Sequence, residues 1–220
     1  MDTVDLIALT LGASWASGIN LYAAMLVLGW MRSTGQVDLP PGLEILANPM
    51  VMMAAGAMYF VEFFADKIPG VDTGWDTLQT FVRIPAGAML AAGAAGGMDI
   101  GQAGELAAMI LGGSLSAATH ATKMGTRAVV NTSPEPFSNW TLSIGEDIAV
   151  IGGMWAALNH PVLFIIALIA FIALMIWLLP KSGVALKQSH AKSPAGSVEK
   201  NPQHHPNNGR MFEIHFQTSP

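Results

Sequence analysis

Asp5-Leu6-Ile7-Ala8-Leu9-Thr10-Leu11-Gly12-Ala13-Ser14 recurs as Glu105-Leu106-Ala107-Ala108-Met109-Ile110-Leu111-Gly112-Gly113-Ser114, identical at five of ten positions and displaced by one hundred residues. Two apolar, small-residue copies at this spacing predict a duplicated membrane protein. With three spans between the copies, the second half enters the bilayer from the opposite side, the inverted-repeat plan of many secondary transporters. In this alignment Ser14 corresponds to Ser114 and Asn20 to His120. Polar groups of the first and fourth spans are therefore expected to face each other across a pseudo-twofold axis.

Composition agrees with a bilayer. The 220 residues are 52% hydrophobic and 11% charged, with a mean hydropathy of +0.46, whereas a soluble domain carries about 25% charged residues. So few charges cannot cover a water-exposed surface. Without cysteine there is no disulfide, thiolate nucleophile or thiolate metal site, which fits a bacterial inner membrane. The start, Met1-Asp2-Thr3-Val4-Asp5, is acidic where a cleavable signal needs a basic region, so the first span is expected to be retained.

A span needs about 20 predominantly apolar residues, and six segments qualify to different degrees: Asp5 to Met31, Pro49 to Lys67, Leu78 to Gly97, Glu105 to Val130, Trp140 to Asn159 and Val162 to Leu179. The last carries no charge and many bulky side chains, so it is expected to face lipid on most sides. The others are rich in Gly and Ala, which lets helices approach closely. The expected fold is an all-α integral membrane protein of about six transmembrane helices in a 3+3 inverted repeat, some of them broken. Residues 1–180 form the membrane domain, with repeats of about 5–98 and 105–180. Residues 181–220 turn to Ser, Pro, Asn, His and Lys and are expected to be a disordered polar tail.

Basic residues in short loops mark the cytoplasmic side. With both termini inside, Lys67, Arg83, Lys123, Arg127, Lys181 and Lys187 fall at or near that side and Arg32 is the exception. The paired His204-His205 of the tail lacks further ligands, so no metal is assigned. Met211-Phe212-Glu213-Ile214-His215-Phe216 alternates like a short strand.

Ionisable groups within spans cost about 2.5 to 3.5 kcal/mol each on insertion scales, so their placement is informative. Glu62 and Asp66, at i and i+4, put two carboxylates on one face of the second span. His120, Lys123 and Arg127, at i, i+3 and i+7, make a basic face on the fourth. Glu146 and Asp147 lie six to seven residues inside the fifth. With Arg83, these make four acids and four bases, a set able to neutralise itself if the helices converge. Competing structural readings exist for each. Lys67 and Arg127 are near enough to span ends to snorkel, Glu62 with Arg83 or Lys123 can be a structural ion pair, and His120 can be hydrogen-bonded packing. Adjacent carboxylates inside a span are harder to justify structurally, which favours a functional role for Glu146; Asp147, about 100° round the helix, is the one expected to pair with a base.

Prolines fall beside these charges. Pro85 follows Arg83-Ile84 and is expected to interrupt the third helix, freeing carbonyls for a bound ion, while Pro69-Gly70 either does the same or ends the second helix. Asn131 to Trp140 reads as a polar loop leading into the fifth span, with Pro at its first helical position.

Ser17-Gly18-Ile19-Asn20-Leu21-Tyr22, Val61-Glu62-Phe63-Phe64-Ala65-Asp66-Lys67-Ile68-Pro69-Gly70-Val71-Asp72 and Asn131-Thr132-Ser133-Pro134-Glu135-Pro136-Phe137-Ser138-Asn139-Trp140 resemble the bacterial domain-of-unknown-function family 4126, over about residues 5 to 180. The resemblance implies a small multi-span membrane protein and supplies no activity. Glu62-x-x-x-Asp66-Lys67 is more loosely similar to the Glu-x-Gly-Asp-Lys signature of small duplicated cation/proton exchangers, with the acid one position later and the Gly absent.

Two functions follow. In the first, a small secondary transporter, Glu62, Asp66, Glu146 and Asp147 bind a cation or carry protons with Lys123 and Arg127 as counter-charges; or Arg83, Lys123 and Arg127 hold an anion or lipid-linked phosphate while the carboxylates couple to protons. Asn20 and His120 belong to the same candidate site. In the second, the chain is a non-transporting scaffold or assembly subunit held by ion pairs. No nucleophile elbow, HExxH, Walker loop or dinucleotide fingerprint is present, so neither an enzyme nor a cofactor is expected. Residues 1–180 hold five bases against thirteen acids, which excludes nucleic acid as a partner. The partners expected are the lipid bilayer, a small ion, anion or lipid-linked substrate, and a second copy of the chain, since Gly/Ala stripes pack equally well between protomers.

Overall fold

The computed structural model describes the backbone of residues 1–68, 70–131 and 136–192 and, Pro136 apart, their side chains as far as Trp177. The described residues form six α-helices and one 3₁₀ helix and no strand: α1 (Thr3–Ser33), the 3₁₀ helix (Pro41–Ala47), α2 (Pro49–Ala65), α3 (Val71–Ala95), α4 (Gly101–Val130), α5 (Pro136–Asn159) and α6 (Pro161–Lys192).

Local sequence explains the helix starts. Asp2 and Asp5 cap α1 reciprocally, with the Asp5 N–H donating to Asp2 Oδ1 at 2.9 Å and the Asp2 N–H to Asp5 Oδ2 at 2.8 Å, which satisfies two donors that would otherwise be orphaned. Asn48 caps α2, accepting from the Met50 N–H at 2.9 Å, and Pro49 sits where a missing N–H costs nothing. The 3₁₀ helix and α2 meet at a bend of 69°.

Helix α1 is the axis of the fold and touches every other element. Its Ala8, Leu9, Ala13, Ala16, Ala24 and Leu28 are fully buried. Only small side chains allow such an approach. Gly18 is the extreme position, because a Cβ there would run into Thr119 Oγ1 and the Ser116 carbonyl of α4. Helix α3 packs its Leu90, Ala91, Ala94 and Ala95 inward, as its Ala- and Gly-rich run leads one to expect. Helix α6 docks on α1 through Phe164 and Phe171, both edge-on to Trp15 with centroids 5.9 and 6.1 Å away. Leu168 and Met175 are buried as well, and the opposite face is open, with Val162, Leu163, Ile166, Ile169 and Ile176 all exposed.

Among the described residues two helices, Thr3–Ser33 and Phe137–Asn159, are long and apolar enough to cross a membrane, and the bent pair Pro41–Ala47 and Pro49–Ala65 makes a third if taken as one span. Helices α3 and α4 are long but carry the charge. The apolar part of α6 described with side chains, Pro161–Trp177, is shorter.

Several expectations are corrected. The broken helix is α1, where Asn20 leaves helical geometry at φ −147° and ψ 95°; α3 continues through Pro85. An alanine-rich helix packed tightly on two neighbours holds its course past the proline, whereas Asn20 carries its own cap. Helix α3 also begins at Val71, seven residues before the expected span, because Asp72 and Asp76 lie inside the helix and find buried partners. Ser14 is buried but Ser114 is exposed, so these repeat positions do not face each other. The backbone of α6 runs to Lys192, into the expected tail, where Val184-Ala185-Leu186-Lys187 are acceptable helix residues. His204-His205, the Met211–Phe216 segment, Pro69 and residues 132–135 lie outside the described residues.

Candidate functional site

The charged residues of α2, α3, α4 and α5 converge. Asp72, Asp76, Gln79 and Arg83 lie at i, i+4, i+7 and i+11, one face of α3, and all are buried. They meet Ser116, Thr119, His120, Lys123 and Arg127, the buried face of α4. Glu62 and Asp66 enter from the end of α2, and Glu146 from α5.

Arg83, fully buried, donates through Nη2 to Glu62 Oε1 at 2.6 Å and lies 3.3 Å from Asp76 Oδ1 through Nη1. The Lys123 ammonium sits at the centre, 3.0 Å from Asp66 Oδ2 and 3.5 Å from each of Glu62, Asp76 and Glu146. Arg127 Nη2 bridges Asp66 Oδ2 at 2.8 Å and Glu146 Oε2 at 2.6 Å, and its Nη1 donates to the Asp66 carbonyl at 2.8 Å. Asp76 Oδ2 and Asp72 Oδ2 stand 3.7 and 3.8 Å from Arg127.

His120 is an uncharged member of this set. Arginine can only donate, so His120 Nδ1, 3.1 Å from Arg83 Nη1, must accept. Its Nε2–H then points to the Asp76 carbonyl at 3.0 Å and to Thr80 Oγ1 at 2.8 Å. A proton on Nδ1 would face the guanidinium, so in this arrangement Nδ1 accepts and Nε2 donates.

With His120 neutral, the expected self-neutralising set becomes unbalanced. Five carboxylates (Glu62, Asp66, Asp72, Asp76 and Glu146) surround three bases (Arg83, Lys123 and Arg127), a formal charge of −2. Asp72 is well solvated by protein: Oδ1 accepts from the Gly70 and Thr73 N–H groups at 2.8 and 2.6 Å, and Oδ2 from Asn131 Nδ2 at 2.9 Å. Other oxygens have no hydrogen-bond donor, namely Glu62 Oε2, Asp66 Oδ1 and both oxygens of Asp76. Asp76 and Asp66 nevertheless lie within ion-pair distance of the bases, so these oxygens meet positive charge without a directed hydrogen bond. Among the described residues no three His, Cys, Asp or Glu side chains are arranged to hold a metal ion.

The break in α1 lies against this cluster. Leaving helical geometry at Asn20 frees carbonyls of the preceding turn, and the bases occupy them: Lys123 Nζ donates to the Ile19 carbonyl at 3.1 Å and Arg83 Nη1 approaches that of Gly18 at 3.5 Å. Cations thus cap the negative end of one half-helix. On the other side Asn20 Oδ1 caps the second half, accepting from the Ala23 N–H at 3.0 Å. Its Nδ2 donates to Asp147 Oδ1 at 2.9 Å.

The two α5 acids have different surroundings, and the base pairing expected of Asp147 is made closely by Glu146. Glu146 is the one paired with bases, while Asp147 bonds to Asn20 and to Tyr59. Side-chain direction decides this, since the two residues diverge by about 100° and α4 lies on the Glu146 side. Asn20 and His120 do not bond to each other; each has separate partners. Lys67 lies beside the cluster, near Asp147 and Asp66, donating to the Phe63 carbonyl at 3.0 Å and lying over the Phe63 ring, a desolvated cation–π contact.

Asp72 and Asp76 escape a reading by hydropathy because they precede the apolar core of their helix. The signal that finds them is the i, i+4, i+7, i+11 polar stripe ending at Arg83. Tyr59 and Thr80 carry no such signal.

No curated protein and no solved structure matches the chain. The model of one family, described as a domain of unknown function (DUF4126), matches residues 7–181, and the chain belongs to that family.

Proposed function

We propose that this protein is a small secondary transporter of the bacterial inner membrane, multi-pass with both termini cytoplasmic, that moves a proton or a small cation through its ionic cluster. The observation that carries this reading is the imbalance of five buried carboxylates against three bases, with oxygens of Glu62 and Asp76 left without donors. Such a cluster is stable when it holds one or two protons or a small cation, and releases them when the helices part. The discontinuous α1 supports the same reading, since half-helix ends near the bilayer midplane are where transporters of this kind bind ions. In this proposal all six helices span, arranged as a 3+3 inverted repeat, with α3 and α4 tolerating their charges because those charges face inward. An anionic cargo is less well supported, because Arg83, Lys123 and Arg127 each already face two or more carboxylates.

The test is flux into liposomes containing the purified full-length protein, read with an internal pH dye while H⁺, Na⁺ and K⁺ gradients are imposed in turn. One gradient should drive dye response in the parent protein, and Glu146→Gln should abolish it while keeping membrane insertion. Absence of flux under every gradient refutes the proposal.

The competing reading is a scaffold or assembly subunit. It is favoured by the way Arg127 ties α2 to α5 by short ion pairs. Replacing the short Glu62–Arg83 pair together, by Glu62→Gln with Arg83→Gln, leaves the net charge of the cluster unchanged and should then keep folding and cellular phenotype together, whereas a transporter so altered would fold without carrying flux.

A further inference from the structure

An opening leads from the surface to the ionic cluster. A cavity of about 470 Å³ lies between α4 and α5, within the roughly 300–1,000 Å³ range of small-molecule sites. Its back wall is Trp15 and Ile19 of α1, Phe171 of α6 closes one end, and Lys123 and Glu146 form the floor. The mouth is flanked by Thr126, Thr141, Gly145 and Ala149, all exposed. The surfaces on either side of that mouth are apolar, with Val129, Ile144, Ile148 and Ile151 exposed.

We propose that this cavity binds a membrane lipid with a primary-ammonium headgroup, the ammonium lying against Glu146 and one acyl chain leaving over the apolar flank. Three observations argue for it. The floor offers one carboxylate and one ammonium, Glu146 and Lys123, and the cluster behind it has a formal charge of −2, which suits a zwitterionic head whose ammonium meets Glu146 and whose phosphate meets Lys123. Glu146, 11% exposed, is the most accessible of the five carboxylates, the others being 5% or less. The walls leading from the floor are apolar or threonine, unsuited to a fully hydrated solute. A headgroup at Glu146 would compete with Arg127 and Lys123 for the same carboxylate. The lipid therefore belongs to the transport site proposed above, either as cargo or as a gate, and the inference rests on that reading for the charge of the cluster.

Gly145 provides the test. It lines the cavity, and a Cβ built there meets no atom within 4 Å, so Gly145→Phe fills the space without disturbing the backbone. Native mass spectrometry of the full-length protein, released from nanodiscs of phosphatidylethanolamine mixed with phosphatidylglycerol, counts retained lipids of each kind. The parent should retain phosphatidylethanolamine over phosphatidylglycerol by roughly tenfold, a difference of about 1.4 kcal/mol. Gly145→Phe and Glu146→Gln should both remove that preference while giving the parent's helical circular dichroism. Preferential retention of phosphatidylglycerol, equal retention of both, or an unchanged preference in Gly145→Phe overturns the proposal. Equal competition by free ethanolamine at the same concentration overturns the lipid as its source. Lipid counting does not use flux, so a chain that binds the lipid without transporting sinks the transport reading alone.

Discussion

Removing a base from the cluster and removing an acid should have very unequal costs. Arg83 has no exposed surface, donates to Glu62 at 2.6 Å and stands 3.3 Å from Asp76. Arg83→Gln takes the formal charge from −2 to −3 and strips Glu62 of its short partner. Breaking a buried pair by removing one member costs about 3–5 kcal/mol. In a chain of this length each kcal/mol moves the melting temperature by about 2–4 °C, so a drop of roughly 6–20 °C is expected. Asp76→Asn goes the other way: it takes the charge from −2 to −1, neither Asp76 oxygen receives a hydrogen bond to lose, and the bases 3.3 to 3.7 Å from it, Arg83, Lys123 and Arg127, each keep another carboxylate. Its cost should stay within about 1 kcal/mol, the scale of one ordinary hydrogen bond. Both variants are compared with the parent by thermal unfolding in one detergent, followed by near-ultraviolet circular dichroism. If Asp76→Asn destabilises as much as Arg83→Gln, the imbalance of charge is not real and the cluster is a neutral structural network.

Other outcomes follow from the packing. Gly18→Ala should destabilise by about 1–3 kcal/mol, and Thr119→Ala should not fully rescue it, because the Ser116 carbonyl that the new methyl meets is backbone; the same unfolding assay reads both. Asn20→Leu removes a cap worth about 1–2 kcal/mol and the donor to Asp147, whereas Asn20→Asp keeps the cap and sets two carboxylates together. The aspartate variant should therefore lose stability as pH rises through the range where they ionise, measured as melting temperature against pH. Trp15→Ala should cost about 3–5 kcal/mol by opening a space under Phe164 and Phe171, seen as increased protease sensitivity of α6.

The sequence shows where the charges are and that the helices bearing them must converge. Glu62, Asp66, Arg83, Lys123, Arg127 and Glu146 all prove to be mutual neighbours, because an ionisable group in an apolar segment has few other ways to be satisfied. The balance of the cluster was not legible. Asp72 and Asp76 precede the apolar stretch of α3 and read as loop, and the charge of His120 depends on the arginine that three-dimensional packing sets beside it. The helix break was misread for a related reason: proline is a strong local signal, but tight packing carried α3 past Pro85, while Asn20 could leave the helix because side-chain and cationic partners take up what the break exposes. The matching of Ser14 with Ser114 does not carry over to a shared environment, since Ser14 is buried and Ser114 is not.

The Arg83 carbonyl receives two hydroxyls, Ser17 Oγ from α1 and Ser116 Oγ from α4, each at 2.9 Å. Around that point a Cβ on Gly18, Gly87 or Gly112 would strike a neighbouring helix. A saturation-mutagenesis survey would therefore report these three glycines as intolerant of bulky side chains whatever the protein does, because a bulky side chain there holds the helices of the waist apart. Intolerance at Asp76 or Glu146, which no helix crossing requires, would carry the information about chemistry.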